Sequence, residues 1–348
     1  MTMKKKHLKK ILAAGALGLS LSAGAQDIHF SQFYETSILR NPSLTGLFTG
    51  DYKVGALYKN QWSSISKPYQ TALLNAEARI PINEVNDYVS IGFLGYYDKA
   101  GSVNLRTTSL YPAINYNKSL ARDRNSYLSV GFTGGYIQRS FDASKATFNN
   151  QYQNNVFSPY NPTGENLGNP TFSYWDLGAG ITYSGSSTSE ENSLNYIIGV
   201  AGYHFTRPRN SFFGNNTIRL STRWNVNAAI SKQLNTIWSM QLHTNVSVQG
   251  SYREVIAGGL IGWNKKEDND AVLFVLFGGV FYRLNDAIIP TLKMRYKDFA
   301  CTFSYDINVS RLRAASNMQG GYEISITKMG LINNPNREKS RTICPDFY

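Results

Sequence analysis

The chain has 348 residues, of which 42% are apolar, 13% aromatic (23 are Tyr) and 17% charged. That is too little charge and too much aromatic surface for a disordered chain. The net charge of +12 invites an anionic partner, but five of the 35 Lys and Arg lie in the first ten residues, leaving 30 basic against 23 acidic side chains elsewhere.

Those five, Lys4, Lys5, Lys6, Lys9 and Lys10, precede an apolar run from Ile11 to Leu21 and then Ala23-Gly24-Ala25. A basic head, an apolar run and a small-x-small site predict a secretory signal peptide over 1–25, cleaved after Ala25. A retained anchor needs roughly 20 apolar residues, and this run is shorter. Gln26 at the junction, with no cysteine near it, argues against a lipoprotein. The mature chain is therefore expected outside the cytoplasm, where nucleic acid is not its partner.

Residues 26–50 show no two-residue period. Phe30, Gln32, Phe33, Tyr34, Asn41 and Pro42, with Ile38 and Leu39, fit either a plug in a barrel lumen or a docking segment, and the plug is the expected form.

From 51 to 330 the chain counts in twos. In 237–249, Trp238, Met240, Leu242, Val246 and Val248 take one face, while Ser239, Gln241, His243, Asn245 and Ser247 take the other. Period two means strands with one apolar and one polar face. A soluble sandwich shares that period, but its strands centre on about 5–6 residues. These run to ten or more, the length that crosses a membrane when tilted. Tyr, Trp and Phe collect at their ends, as in interfacial girdles. Glycines punctuate the polar face at Gly92, Gly131, Gly135, Gly178 and Gly180, where a packed lumen favours them.

The fold predicted is all-β, a transmembrane antiparallel β-barrel of about fourteen strands in the outer membrane of a Gram-negative bacterium. The strands are placed at 51–60, 69–79, 88–97, 104–116, 126–138, 173–184, 193–204, 217–230, 236–248, 251–263, 271–282, 285–296, 299–309 and 320–329. With both ends in the periplasm, the long connections fall outside, and 331–348 forms a polar periplasmic tail.

Site chemistry is sparse. The histidines, His7, His29, His204 and His243, show no ligand spacing, and no nucleophile is singled out. Glu267-Asp268-Asn269-Asp270 lacks the loop glycine and terminal carboxylate of a calcium loop. No enzyme activity, metal or cofactor is expected. Arg219, Arg223, Lys293 and Arg295 are read as lumen-facing, either guiding an anionic solute or pairing with Asp176, Glu77, Asp306 or Glu323; pairing is preferred because isolated buried charge is costly. Cys301 should face lipid and Cys344 lies in the tail, which leaves a disulfide between them open.

The 139–172 connection is too long to be a plain linker. Its Phe148, Tyr152, Phe157 and Tyr160, amid seven Asn, suit adaptable protein recognition, the alternative being a lid that merely folds over the barrel. The connection carrying Arg207, Phe212 and Phe213 should stand beside it and complete a rim that grips a partner.

The opening QDIHFSQFYETSILRNPSLTGLFTGDYKVGALYKNQW (Gln26–Trp62) resembles the start of the PorP/SprF family. The likeness continues in GYHFTRPRNSF within Val200–Phe212, LNDAIIP at Leu284–Pro290, SYDINVSRLRAASNMQGGYEIS at Ser304–Ser325 and the terminal Thr342–Pro345, covering essentially the whole mature chain. The resemblance implies an outer-membrane protein of type IX secretion and gliding motility that exports, holds or docks a large surface adhesin. Its implied partners are that adhesin or its C-terminal domain, the secretion or gliding machinery, and outer-membrane lipid. The rival readings are a transporter for a hydrophobic or small anionic solute, with 26–50 as a movable hatch, and a structural link to a periplasmic ring.

Overall fold

A strand that alternates apolar and polar side chains can satisfy its whole backbone in a membrane only if the sheet closes on itself, because an open edge leaves N–H and C=O groups unpaired in lipid. The computed structural model describes residues 27–332, apart from 65–66, 83–85, 121–125, 188–192, 267–271 and 312. Its main sheet is closed: β1 (Tyr52–Gln61), β2 (Tyr69–Pro81), β3 (Tyr88–Ala100), β4 (Leu105–Ser119), β5 (Ser126–Ser140), β8 (Thr171–Ser186), β9 (Leu194–Tyr203), β10 (Arg223–Gln233), β11 (Trp238–Gln249), β12 (Tyr252–Lys266), β13 (Val272–Arg283), β14 (Ala287–Tyr296), β15 (Phe299–Asn308) and β16 (Gln319–Gly330). Each pairs antiparallel with its neighbour, and β16 returns to β1 over ten residue pairs from Tyr52↔Gly330 to Gln61↔Gly321. The fourteen strands agree with the count read from the period. The two remaining strands, β6 (Tyr152–Gln153) and β7 (Val156–Phe157), form a separate small hairpin.

The two faces are inverted relative to a soluble protein. Leu74, Ile91, Ile114, Phe132, Leu177, Ile198, Leu292 and Ile326 are exposed on the outer face, whereas Ser90, Asn115, Ser129, Thr182, Asn227, Ser304 and Glu323 are buried on the inner one. Exposed aromatics form two belts: Tyr58, Tyr97, Trp175, Trp224 and Tyr282 near one end, and Tyr116, Tyr183, Trp238, Trp263 and Tyr296 near the other. An apolar band between aromatic belts is the lipid-facing surface of an outer-membrane barrel.

The ends also differ. One, here the loop end, carries the connections 62–68, 101–104, 141–170, 204–222, 250–251, 284–286 and 309–318. The other, the turn end, carries only short connections.

One boundary departs from the sequence reading. Residues 217–222 precede β10 instead of opening it: Leu220 N–H donates to the Pro208 carbonyl at 3.0 Å, and Arg209 and Arg219 form an isolated bridge. Arg219 is consequently an exposed loop residue, not a lumen charge. The alternation of Ile218 and Leu220 that suggests a strand there serves a fold-back within the loop. Cys301 sits on the outer face of β15 with Phe299 and Phe303; Cys344, most of the tail, the cleavage site and the 267–270 acidic cluster lie outside the described residues.

Inside the barrel lies the segment 27–50. It enters at the loop end, descends through short helical turns at Phe33–Glu35, Ser37–Arg40 and Pro42–Leu44, and reaches β1 at the turn end.

Candidate functional site

The interior segment touches the wall around its circumference. Phe33 and Tyr34 pack with Ile256, Leu260, Val275, Phe277 and Phe281; Phe30 and Ile38 pack with Leu57, Leu73, Leu94, Tyr111 and Ile137; Leu44, Leu47 and Phe48 pack with Ile197, Ala229 and Met329. Burying each such side chain is worth about 1.5–3 kcal/mol. Two wall glycines make room for the sharp turn below Arg40. A Cβ on Gly180 would meet Asn41 Oδ1, and one on Gly131 would meet the Pro42–Ser43 backbone.

Polar contacts fix the segment's depth. Glu323 accepts from the Ser31 and Gln32 backbone N–H groups, both at 2.8 Å, and the Gln32 amide also donates to Ser304 Oγ at 3.1 Å. Asn41 donates to Thr182 Oγ1 at 3.1 Å and to Asn227 Oδ1 at 3.0 Å, while its own Oδ1 accepts from Ser43 N–H at 2.9 Å. Asn115 donates to the Ser43 and Thr45 carbonyls, and Tyr203 to the Ile38 carbonyl. A buried segment with so many backbone groups engaged by the wall avoids the cost of orphaned amides.

Charge is paired inside. Lys53–Glu77 at 2.7 Å, Lys59–Glu323 at 3.4 Å and Lys293–Glu35 at 3.1 Å are buried ion pairs, and Arg283 pairs with Asp306. The expectation that lumen cations are paired matches this, but the partners differ from those named. Lys293 meets Glu35 and Arg223 meets Asp27 at 3.0 Å, both partners on the interior segment. Asp176 faces His204 instead. Lys53, Lys59 and Arg283 escaped the sequence reading, although alternation already places Lys53 and Lys59 on the inner face of β1.

At the loop end His204 is held between two carboxylates, with Nε2 2.6 Å from Asp27 and Nδ1 2.8 Å from Asp176. Burial works against charge on His204, but the two flanking carboxylates outweigh it and lift its pKa to about 9. Burial likewise opposes ionisation of Asp27, yet His204 and Arg223 outweigh it and hold the carboxyl at about 2. The pair is thus ionised at neutral pH.

The rim candidates fall into one structure. Phe212 sits edge-on between Phe141 at 4.8 Å and Phe172 at 4.7 Å, and Arg139 donates to Asn210 Oδ1 at 2.7 Å, so the 141–170 and 204–222 connections stand against each other. The longer connection is folded: Tyr152 and Phe157 pair across the β6–β7 hairpin, and Gln151 and Asn161 bond reciprocally beneath it. Tyr152, Phe157, Tyr160 and Phe213 are exposed, Tyr160 at 95% and Phe213 at 71%. Arg207 is exposed, Phe148 half-buried, and Phe212 belongs to the joint between the loops.

His243 stacks on Tyr34 at 5.1 Å among apolar rings, and among the described residues no group of three or more His, Cys, Asp or Glu is placed to hold a metal ion.

A family model described as "Type IX secretion system membrane protein PorP/SprF" matches residues 22–327. Among solved structures, the CymD monoaromatic hydrocarbon channel is similar with a TM-score of 0.47 at 9% identity, over 86% of this chain and 94% of that one. A Pseudomonas aeruginosa FadL homologue gives 0.46 at 9% identity, over 84% and 92%. CdiB from Acinetobacter baumannii gives 0.44 at 7% identity, over 80% and 60%. No curated protein matches.

Proposed function

Because the chain belongs to the PorP/SprF family of type IX secretion system membrane proteins, we propose that its outer-membrane barrel supports export and surface anchoring of a large type IX cargo, an adhesin of gliding motility, by binding the cargo's C-terminal domain. The family is one of secretion-system barrels, not an enzyme class. The observation that carries the reading is the joined rim, where Tyr152, Phe157, Tyr160 and Phe213 stand exposed on two interlocked connections. Aromatic anchors on a braced platform, with hairpin edges open to main-chain pairing, suit a protein partner. In this reading the loop end faces outward, and residues 27–50 plug the lumen so that the barrel holds cargo without leaking.

The test is deletion of 145–168, followed by co-purification of the adhesin from native membranes in mild detergent. The barrel should insert normally and lose the adhesin. Retention of the adhesin at the intact protein's level would rule the rim out.

A second reading rests on a separate observation. Residues 27–29 divide the loop end into cavities of about 250 and 50 Å³. Space on both sides gives 27–29 room to swing, and if that movement carried the rest of 27–50 with it, the segment would be the hatch of a transporter for a hydrophobic or small anionic solute. Single-channel conductance or solute uptake that depends on this segment would favour that reading.

A further inference from the structure

The larger cavity has chemistry that the docking reading does not use. It lies between the tip of the interior segment and the wall of β1 to β5 and β8. One row of inward-facing residues runs across that wall in register: Glu323, Lys59, Thr71, Asp98, Thr107 and Arg139, on six successive strands. The first two form an ion pair, and Lys59 also donates to the His29 carbonyl at 2.7 Å. Asp27, on the opposite side, is engaged by His204 and Arg223.

Two opposite charges then remain in the row. Asp98 accepts from Thr71 Oγ1 at 2.7 Å and Arg139 donates to Asn210 at 2.7 Å, each a neutral partner. The Arg139 Nε is buried with no partner. Strands lie roughly 4.8 Å apart, so the Asp98 and Arg139 backbones, with Thr107 between them, are about 10 Å apart. Among the described residues no ion pair joins them, yet both line one space. A half-buried anion and cation facing a common cavity are best satisfied by a ligand that carries both charges. Tyr96 and Tyr174 line the same cavity one inward-facing position deeper on β3 and β8, with Tyr69 and Trp62 nearer the mouth. At about 250 Å³ the space is smaller than a typical drug-sized pocket and suits one compact ligand.

We propose that this vestibule is a binding site for a free α-amino acid with an apolar or aromatic side chain. Its ammonium is received by Asp98, its carboxylate by Arg139, and its side chain by the faces of Tyr96 and Tyr174. The charge pattern selects the zwitterion and the rings select the side chain. None of its residues is among the exposed rim aromatics; Arg139 also braces the rim through Asn210, so ligand discrimination by the intact protein is what separates this site from the cargo reading.

The test is calorimetric titration of the intact mature barrel in detergent with L-phenylalanine, L-phenylalaninamide and N-acetyl-L-phenylalanine. Saturable binding of the amino acid is expected, with each derivative weakened at least about tenfold, the loss of one charged hydrogen bond. Arg139→Gln should bind the amino acid and the amide alike while still discriminating against the acetylated form, and Asp98→Asn should do the reverse. Heat-modifiable migration on gels checks that each variant is folded. If the intact protein shows no saturable binding in the millimolar range, or binds either derivative as well as the amino acid, the proposal is overturned. It is equally overturned if a folded Arg139→Gln barrel keeps its preference for the free carboxylate. The wild-type comparison of the three ligands decides the matter even if both variants fail to fold.

Discussion

Asp27 and His204 meet at 2.6 Å although 177 residues separate them, and their contact ties the start of the interior segment to the loop end of the wall. Asp176 faces the other imidazole nitrogen, and Arg223 faces the same Asp27 oxygen. The tip is thus held chiefly by this charged cluster, while the segment below it is held by packing, by amide bonds and by the buried Lys293–Glu35 pair.

That difference makes the tip pH-sensitive. The raised pKa of His204 gives an attachment fully present below its ordinary 6.5 and lost as pH rises through about 9. The lowered pKa of Asp27 gives one present above its ordinary 3.8 and lost as pH falls through about 2. A spin label at Ile28→Cys, in a Cys301→Ser/Cys344→Ser background, should be immobile at neutral pH and gain a mobile component above about 9. His204→Asn should be mobile throughout; asparagine is chosen because position 204 has φ 59°, which it tolerates. Identical spectra for both chains at every pH would refute the latch.

The Lys293–Glu35 pair should show how firmly the segment's middle is held. Both side chains are buried, so Lys293→Met strands a carboxylate and should cost about 3–5 kcal/mol of unfolding free energy. Adding Glu35→Gln should recover most of that loss. Urea unfolding of the refolded barrel measures both, and additive losses would show that the two do not interact.

Wall glycines provide a steric test. Gly131→Ala puts a methyl group against the Pro42–Ser43 backbone, where no flexible side chain can yield. Overpacking of this kind costs about 1–3 kcal/mol. The expected result is a folded barrel whose interior segment is displaced, read as increased single-channel conductance relative to the intact protein. Unchanged conductance with a shifted melting temperature would mean that the wall, not the segment, absorbs the methyl.

How far the sequence foretells this molecule depends on distance along the chain. Period two sets each strand's faces locally, which is why fourteen strands and the outward Cys301 are legible from it. The glycines at 131 and 180 stand out on the polar face, and the structure supplies their reason in Asn41 and Pro42. What the period cannot reveal is which strand alternation is genuine, as 217–222 shows, or which charges meet. Arg223 and Lys293 find Asp27 and Glu35 in a segment nearly 200 or more residues away, so a search for partners among the carboxylates of the strands misses them. The rim's joint, Phe212 between Phe141 and Phe172, is non-local in the same way.

Docking of cargo on the rim of the joined loops, as proposed, can be read by site-specific photo-crosslinking in living cells. A photoreactive residue replacing Tyr160 or Phe213 should capture the C-terminal domain of a type IX adhesin, while the same residue replacing Trp238 or Tyr296 at the turn end should not. Capture of that domain from the turn end, with none from positions 160 and 213, would contradict the account.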